Sequence, residues 1–206
     1  MMTSVSHKFS TFVSAALIAL GTAAPVVAQD EELSTGVPVE ANENVGRTYL
    51  LETQGDWEIH CIKAPEGQPD PCSMYQLLKD ASGAEIAEVT LFHLGQENAE
   101  AAMTIITPLE TNLTKMLSFY VDEENGRRYP FQFCTQGGCF VRAALPAEEI
   151  DLLKKGNNGQ ISISQVSSQN PVNLTMSLTG FTAGYTRVTA LNEAAKNGQG
   201  PDTVTQ

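Results

Sequence analysis

Two close pairs of cysteines constrain this chain more than any other feature of it. Cys61 and Cys72 flank a short segment of Pro, Gly and acidic residues, and Cys134 and Cys139 flank Thr-Gln-Gly-Gly. Four cysteines allow three pairings. Loop-closure entropy favours the local one, 61–72 with 134–139, and closing such small loops stabilises by about 2–3 kcal/mol each. Bridges of that size pin two bends and leave the main support to a hydrophobic core. They also need an oxidising compartment. A four-thiolate zinc site usually has two-residue spacings, whereas ten and four residues intervene here. A redox pair usually reads Cys-x-x-Cys, and an even count leaves no spare thiol as a nucleophile.

The compartment is also written at the start of the chain. Residues 1–28 read as an export signal. His7 and Lys8 make a weakly basic opening, residues 9–24 are apolar, Pro25 ends the run, and Val26-Val27-Ala28 supplies a small-residue cleavage site. The apolar run is too short to cross a bilayer core of about 30 Å comfortably. Cleavage after Ala28 is expected, with no stable membrane span remaining. It removes Lys8 and no acid, leaving 11 Lys+Arg against 24 Asp+Glu, a formal charge of −13. So acidic a chain is a poor ligand for nucleic acid or anionic lipid, both of which need positive surface.

Residues 29–46 are acidic and aperiodic and read as a disordered leader, and residues 192–206 read as a flexible tail. Between them, residues 47–191 have the pattern of one domain of short strands. Trp57, Ile59 and Cys61 alternate with Glu58 and His60, the period of a half-buried strand. Further strands are expected at 47–53, 72–78, 84–92, 103–107, 116–121, 128–134, 139–145, 161–166 and 172–178. Asn125-Gly126 predicts a type I′ hairpin turn, since both central positions there take positive φ. Residues 146–155 predict a helix: Pro146 opens it, Glu148 and Glu149 lie in its first turn, Lys154 and Lys155 in its last, and Gly156 stops it. A second helix is expected at 181–191. About nine short strands and one or two short helices place the chain in the mainly β class, as an antiparallel β-sandwich.

No set of residues carries recognisable chemistry. Beyond the export signal only His60 and His93 remain, so a three-histidine metal site is impossible, and both histidines read as partly exposed surface groups. There is no His-Glu-x-x-His or Gly-x-Ser-x-Gly string. Asp122-Glu123-Glu124 lacks the spaced ligands of a calcium loop and reads as a solvated hairpin tip. Trp57 reads as core. Glu85 and Glu88 are expected to share no strand face. No catalytic, cofactor-binding or metal-ligating residue is assigned, and the site residues are the four cysteines.

The assembled motifs resemble the invasion-associated locus B family of secreted alphaproteobacterial proteins. They are Gly55-Asp56-Trp57-Glu58-Ile59-His60-Cys61, Pro71-Cys72, Pro130-Phe131-Gln132-Phe133-Cys134-Thr135-Gln136-Gly137-Gly138-Cys139, Leu152-Leu153-Lys154-Lys155-Gly156 and Met176-Ser177-Leu178-Thr179-Gly180-Phe181. Phe140 departs from the small residue often found after the last cysteine, a change in packing rather than in pairing. The resemblance implies an immunoglobulin-like sandwich and a protein of the periplasm, or of the secreted or outer-surface space, of a Gram-negative bacterium. It implies a role associated with host-cell invasion and brings no catalytic or cofactor residue. The expectation is a non-enzymatic protein that meets an envelope or host-surface protein at an exposed sheet face or edge. A periplasmic hydrolase or small-ligand binder, and an envelope-stress holdase, are the alternatives.

Overall fold

The computed structural model describes residues 44–201. The expected export signal and nearly all of the expected leader lie outside the described residues, as do residues 202–206. In chain order the elements are β1 (Thr48–Gln54), β2 (Trp57–Ile62), β3 (Cys72–Lys79), β4 (Glu85–Gln96), β5 (Ala99–Thr107), β6 (Leu117–Val121), β7 (Glu124–Tyr129), β8 (Phe133–Thr135), β9 (Gly138–Leu145), α1 (Ala147–Lys155), β10 (Asn158–Ser164), β11 (Pro171–Ser177) and α2 (Phe181–Lys196). Among the described residues the protein is mainly β, with every strand pair antiparallel, and has two helices.

The sheet curls on itself, and β3 is the joint. Its order is β7-β6-β10-β11-β3-β4-β5-β9-β8, with β2 also on β3 and β1 on β2. One edge of β3 pairs with β4. Its other edge holds β2 as far as Tyr75 and then β11 at Lys79 alone. A first layer, β1-β2-β3-β4-β5-β9-β8, and a second, β7-β6-β10-β11, therefore part at this strand. The missing rungs are replaced by one side chain. Buried Gln76 donates from Nε2 to the carbonyls of Asp56 and Ser177, both at 3.1 Å, and its Oε1 accepts from Ser177 N–H at 2.8 Å. Unpaired backbone groups would otherwise be stranded inside the protein.

Alternate residues of both layers point into a single core. Trp57, Ile59, Met74, Leu91, Met103 and Ile105 come from the first layer, and Leu117, Phe119, Ile161, Leu174 and Met176 from the second. Trp57 is fully buried, as its place in the alternation implies. Its indole donates to Ser177 O at 2.9 Å and meets Phe181 edge-on at 5.5 Å. α2 packs across β1–β4 and α1 against β5 and β9. α1 matches its signals: Pro146 caps it, and the Gly156 N–H bonds Leu152 O. Both local disulfides are present, Cys61–Cys72 and Cys134–Cys139, with Cα atoms 4.1 and 4.0 Å apart.

Four local expectations are corrected. The β6–β7 turn is Asp122-Glu123, at φ 48° and 65°, rather than Asn125-Gly126. The Asp122 carboxylate accepts from the backbone N–H groups of Asn158 and Asn157, which stabilises this turn and lowers its pKa. Gly126 serves a different purpose: a Cβ there would collide with the Tyr120 ring. The segment expected as one strand over 128–134 is two, because Pro130 cannot donate to a ladder; Tyr129 ends β7 in the second layer and Phe133 opens β8 in the first. β5 begins at Ala99, ahead of the expected 103. α2 runs past Leu191 to Lys196, and Asn192 is buried against β3, bonding Cys72 N–H and C=O.

Candidate protein-interaction surface

The helices and the second layer are committed to the inner face of the first layer. Phe181, Tyr185, Val188 and Leu191 of α2 all enter the core. Strand register then determines what the outer face presents. Leu77, Glu88, Ile106, Phe140 and Phe133 form one cross-strand row over β3, β4, β5, β9 and β8. Beside it run Glu58, Tyr75, Thr90, Thr104 and Arg142 over β2, β3, β4, β5 and β9. Leu50 and Ile62 extend the apolar surface onto β1 and β2, at 55% and 45% exposure, and Leu77 and Phe133 are each 39% exposed.

Polar groups organise this face without making a reactive centre. His60 stacks on Tyr75 at 4.6 Å and bonds Glu58 at 2.7 Å. Tyr75 donates to Glu88 at 2.9 Å; burial, then that carboxylate, push its pKa to about 12, so it stays a donor at neutral pH. Phe133 stacks on Phe140 at 4.9 Å, and the Arg142 guanidinium lies 5.2 Å over the Phe133 ring. Gln132 locks this end, exchanging two side-chain hydrogen bonds with the Arg142 backbone. Arg142 makes no salt bridge among the described residues. The face is thus acidic at its β2–β4 end and basic at its β9 end.

Glu85 and Lys79 meet at the end of the β3–β4 pair. A bulge between Leu78 and Lys79 resets the register, so that Glu85 pairs with Lys79 at 3.8 Å, close to Leu77 on the same side. They border an open groove of about 430 Å³ at the seam between the layers, lined also by Asp56, Tyr75, Thr175 and Ser177. Ser177 Oγ donates to Asp56 at 2.6 Å, with no histidine in the groove.

His93, expected at the surface with His60, is buried. It lies on the inner face of β4 under α2, because residues 87, 89, 91 and 93 share that face. Its Nε2 is 3.6 Å from Glu100 and its Nδ1 3.7 Å from Glu193, too far for good hydrogen bonds, and Nδ1 is left unsatisfied. Tyr185 meets the ring edge-on. The two histidines thus belong to separate clusters on opposite faces of the layer. Among the described residues no group of three or more His, Cys, Asp and Glu can hold a metal ion. No helix among them is long and apolar enough to cross a membrane.

The 61–72 bridge carries its own anchor. Asp70 is almost fully buried beneath the loop. Burial raises its pKa, but bonds from Ala64 N–H, Tyr49 OH and Lys63 together outweigh this and bring it below the ordinary carboxylate value. The sequence points to the cysteines and to contact at a sheet face or edge, but not to Asp70 or to which face is presented.

Most of these features, though not, for example, Tyr49, Leu50 or Glu193, sit within a region of recognisable ancestry. The family model for "Invasion associated locus B (IalB) protein" matches residues 57–189. The chain belongs to this family. It is 27% identical over 151 residues to an invasion protein B homolog of Brucella abortus (strain 2308), covering 72% of this chain and 84% of that one. The same figures hold for a homolog from Brucella abortus biovar 1 (strain 9-941). The crystal structure of invasion associated protein B from Bartonella henselae superposes with a TM-score of 0.58 at 22% identity, over 71% of this chain and 99% of that one. That likeness supports the same fold.

Proposed function

We propose that this IalB-family protein is exported to the cell envelope and acts there by protein–protein contact through the outer face of its first layer. The observation that carries the reading is the row Leu77, Glu88, Ile106, Phe140 and Phe133, which no described element covers, flanked by Tyr75 and Arg142. Soluble proteins rarely leave large contiguous apolar patches to water, and those they leave usually mark interaction sites. Aromatic and arginine side chains are also the types enriched where interfaces gain most of their energy. Two disulfides and the expected signal support export, and the family association with invasion supports an envelope or host-surface partner.

The test is capture from envelope extracts with the oxidised protein and a Leu77→Lys/Phe133→Lys variant. A specific partner retained by the parent and lost by the variant supports the proposal; no partner, or equal retention, opposes it. The same apolar face would serve a holdase. Suppression of client aggregation at stoichiometric amounts, lost in the same variant, would favour that role.

A further inference from the structure

We infer that the partner on this face is a second copy of the chain, docked about a two-fold axis that runs along β5. The inference rests on the contact reading above and names its occupant. A two-fold interface must be complementary to itself: whatever lies on one side of the axis meets what lies on the other. Folding the face about β5 lays β9 over the partner's β4, and β8 over the partner's β3. In the row Leu77, Glu88, Ile106, Phe140, Phe133, Leu77 then meets the partner's Phe133, Ile106 meets the partner's Ile106, and Glu88 lies under the edge of the partner's Phe140, beside the partner's Arg142.

Charge selects the same arrangement. Arg142 on β9 has no carboxylate within its own chain among the described residues, while Glu88 lies on β4. The axis brings Arg142 over the partner's Thr90, with the partner's Glu88 two residues along the same strand. That is about 7 Å, within reach of an arginine side chain. Both Arg142–Glu88 contacts form at once, one on each side of the axis. Glu58 and His60 stay at the rim, where an acidic chain needs its like charges kept apart. Five inter-strand spacings and about six residues of strand give a footprint on the order of 500 Å² in projection. That is below the roughly 800 Å² per partner of a standard interface, so the dimer is expected to be weak and concentration-dependent.

Sedimentation of the oxidised protein across a wide concentration range tests this, with Arg142→Glu, Glu88→Arg and the two combined. The parent is expected to dimerise, each single swap to raise the dissociation constant tenfold or more, and the double swap to return it to within about threefold. Intact disulfides and an unchanged circular dichroism spectrum verify that each variant is folded. A parent that stays monomeric, or a dimer indifferent to the swaps, overturns the inference. A monomer that still captures an envelope protein through Leu77 and Phe133 overturns only the choice of partner, and leaves the contact reading standing.

Discussion

The two layers share one core yet show water opposite surfaces. In the second layer, β6, β10 and β11 alternate strictly. Ile161 and Ile163 point in while Gln160, Ser162 and Ser164 point out, and Leu174 and Met176 point in while Asn173 and Thr175 point out. Its outer face is a field of hydroxyls and amides around Tyr120. The first layer breaks alternation with apolar doublets: Leu77-Leu78, Leu91-Phe92, Ile105-Ile106 and Phe140-Val141. One member of each fills the core and the other faces outward. A strand apolar on both sides is expected where both faces are covered. The difference teaches that the first layer is built to be covered, and the second to be wet.

The change that breaks the comparison most completely acts on what the layers share. Trp57→Ala opens a cavity between them and leaves Ser177 O with one donor fewer. A loss of about 3–5 kcal/mol is expected, read as one cooperative denaturant transition. Separate melting of the layers would show that the core is not common to both.

Gln76→Leu tests the seam. It leaves the Ser177 N–H without its acceptor, and a cost of about 1–3 kcal/mol is expected, with amide exchange accelerating first at Ser177. Gly126→Ala tests the second layer alone. The methyl displaces the Tyr120 ring, and overpacking of this kind costs about 1–3 kcal/mol; a contact measured on the first layer should survive it.

Asp70→Asn probes the pinned loop of the first layer. The folded carboxyl has a depressed pKa, so its stabilisation is complete above the unfolded value of 3.8 and is lost as the pH falls below it, through the folded value. The variant should lose stability at neutral pH and show a flatter acid limb, measured by thermal melts from about pH 7 down to about pH 2. The smallest change in stability separates the faces most cleanly. Ser162→Lys/Thr175→Lys should shift unfolding by no more than about 0.5 kcal/mol per substitution, and Leu77→Lys/Phe133→Lys by about 1 kcal/mol more through the lost Phe133–Phe140 stack. Only the Leu77→Lys/Phe133→Lys pair should abolish capture or self-association.

The parts of this fold that were legible rest on local chemistry. Pro146, Glu148, Glu149, Lys154, Lys155 and Gly156 mark α1 because helix ends are satisfied by near neighbours. Period two marks β2, β10 and β11. The misreadings share a cause. Asn125-Gly126 is the better turn pair by local preference, yet Asp122 takes the turn because Asn157 and Asn158, far along the chain, donate to it. Ala99–Ala102 has little strand propensity, and is a strand because β4 and β9 hold it on both sides. His93 read as exposed because nothing nearby in sequence announces α2 above it. The apolar doublets were visible in the sequence, but their meaning depended on knowing which face the helices take.

What the sequence determined by itself is most of the elements, the cysteine staples and the mainly β class, because alternation, caps and short loop closure act over a few residues. The tertiary structure decided where the sheet divides, at Gln76 of β3, and which face of the first layer no described element covers. Those outcomes depend on which distant strands meet, and long-range pairing is a property of the assembled core that no short segment carries.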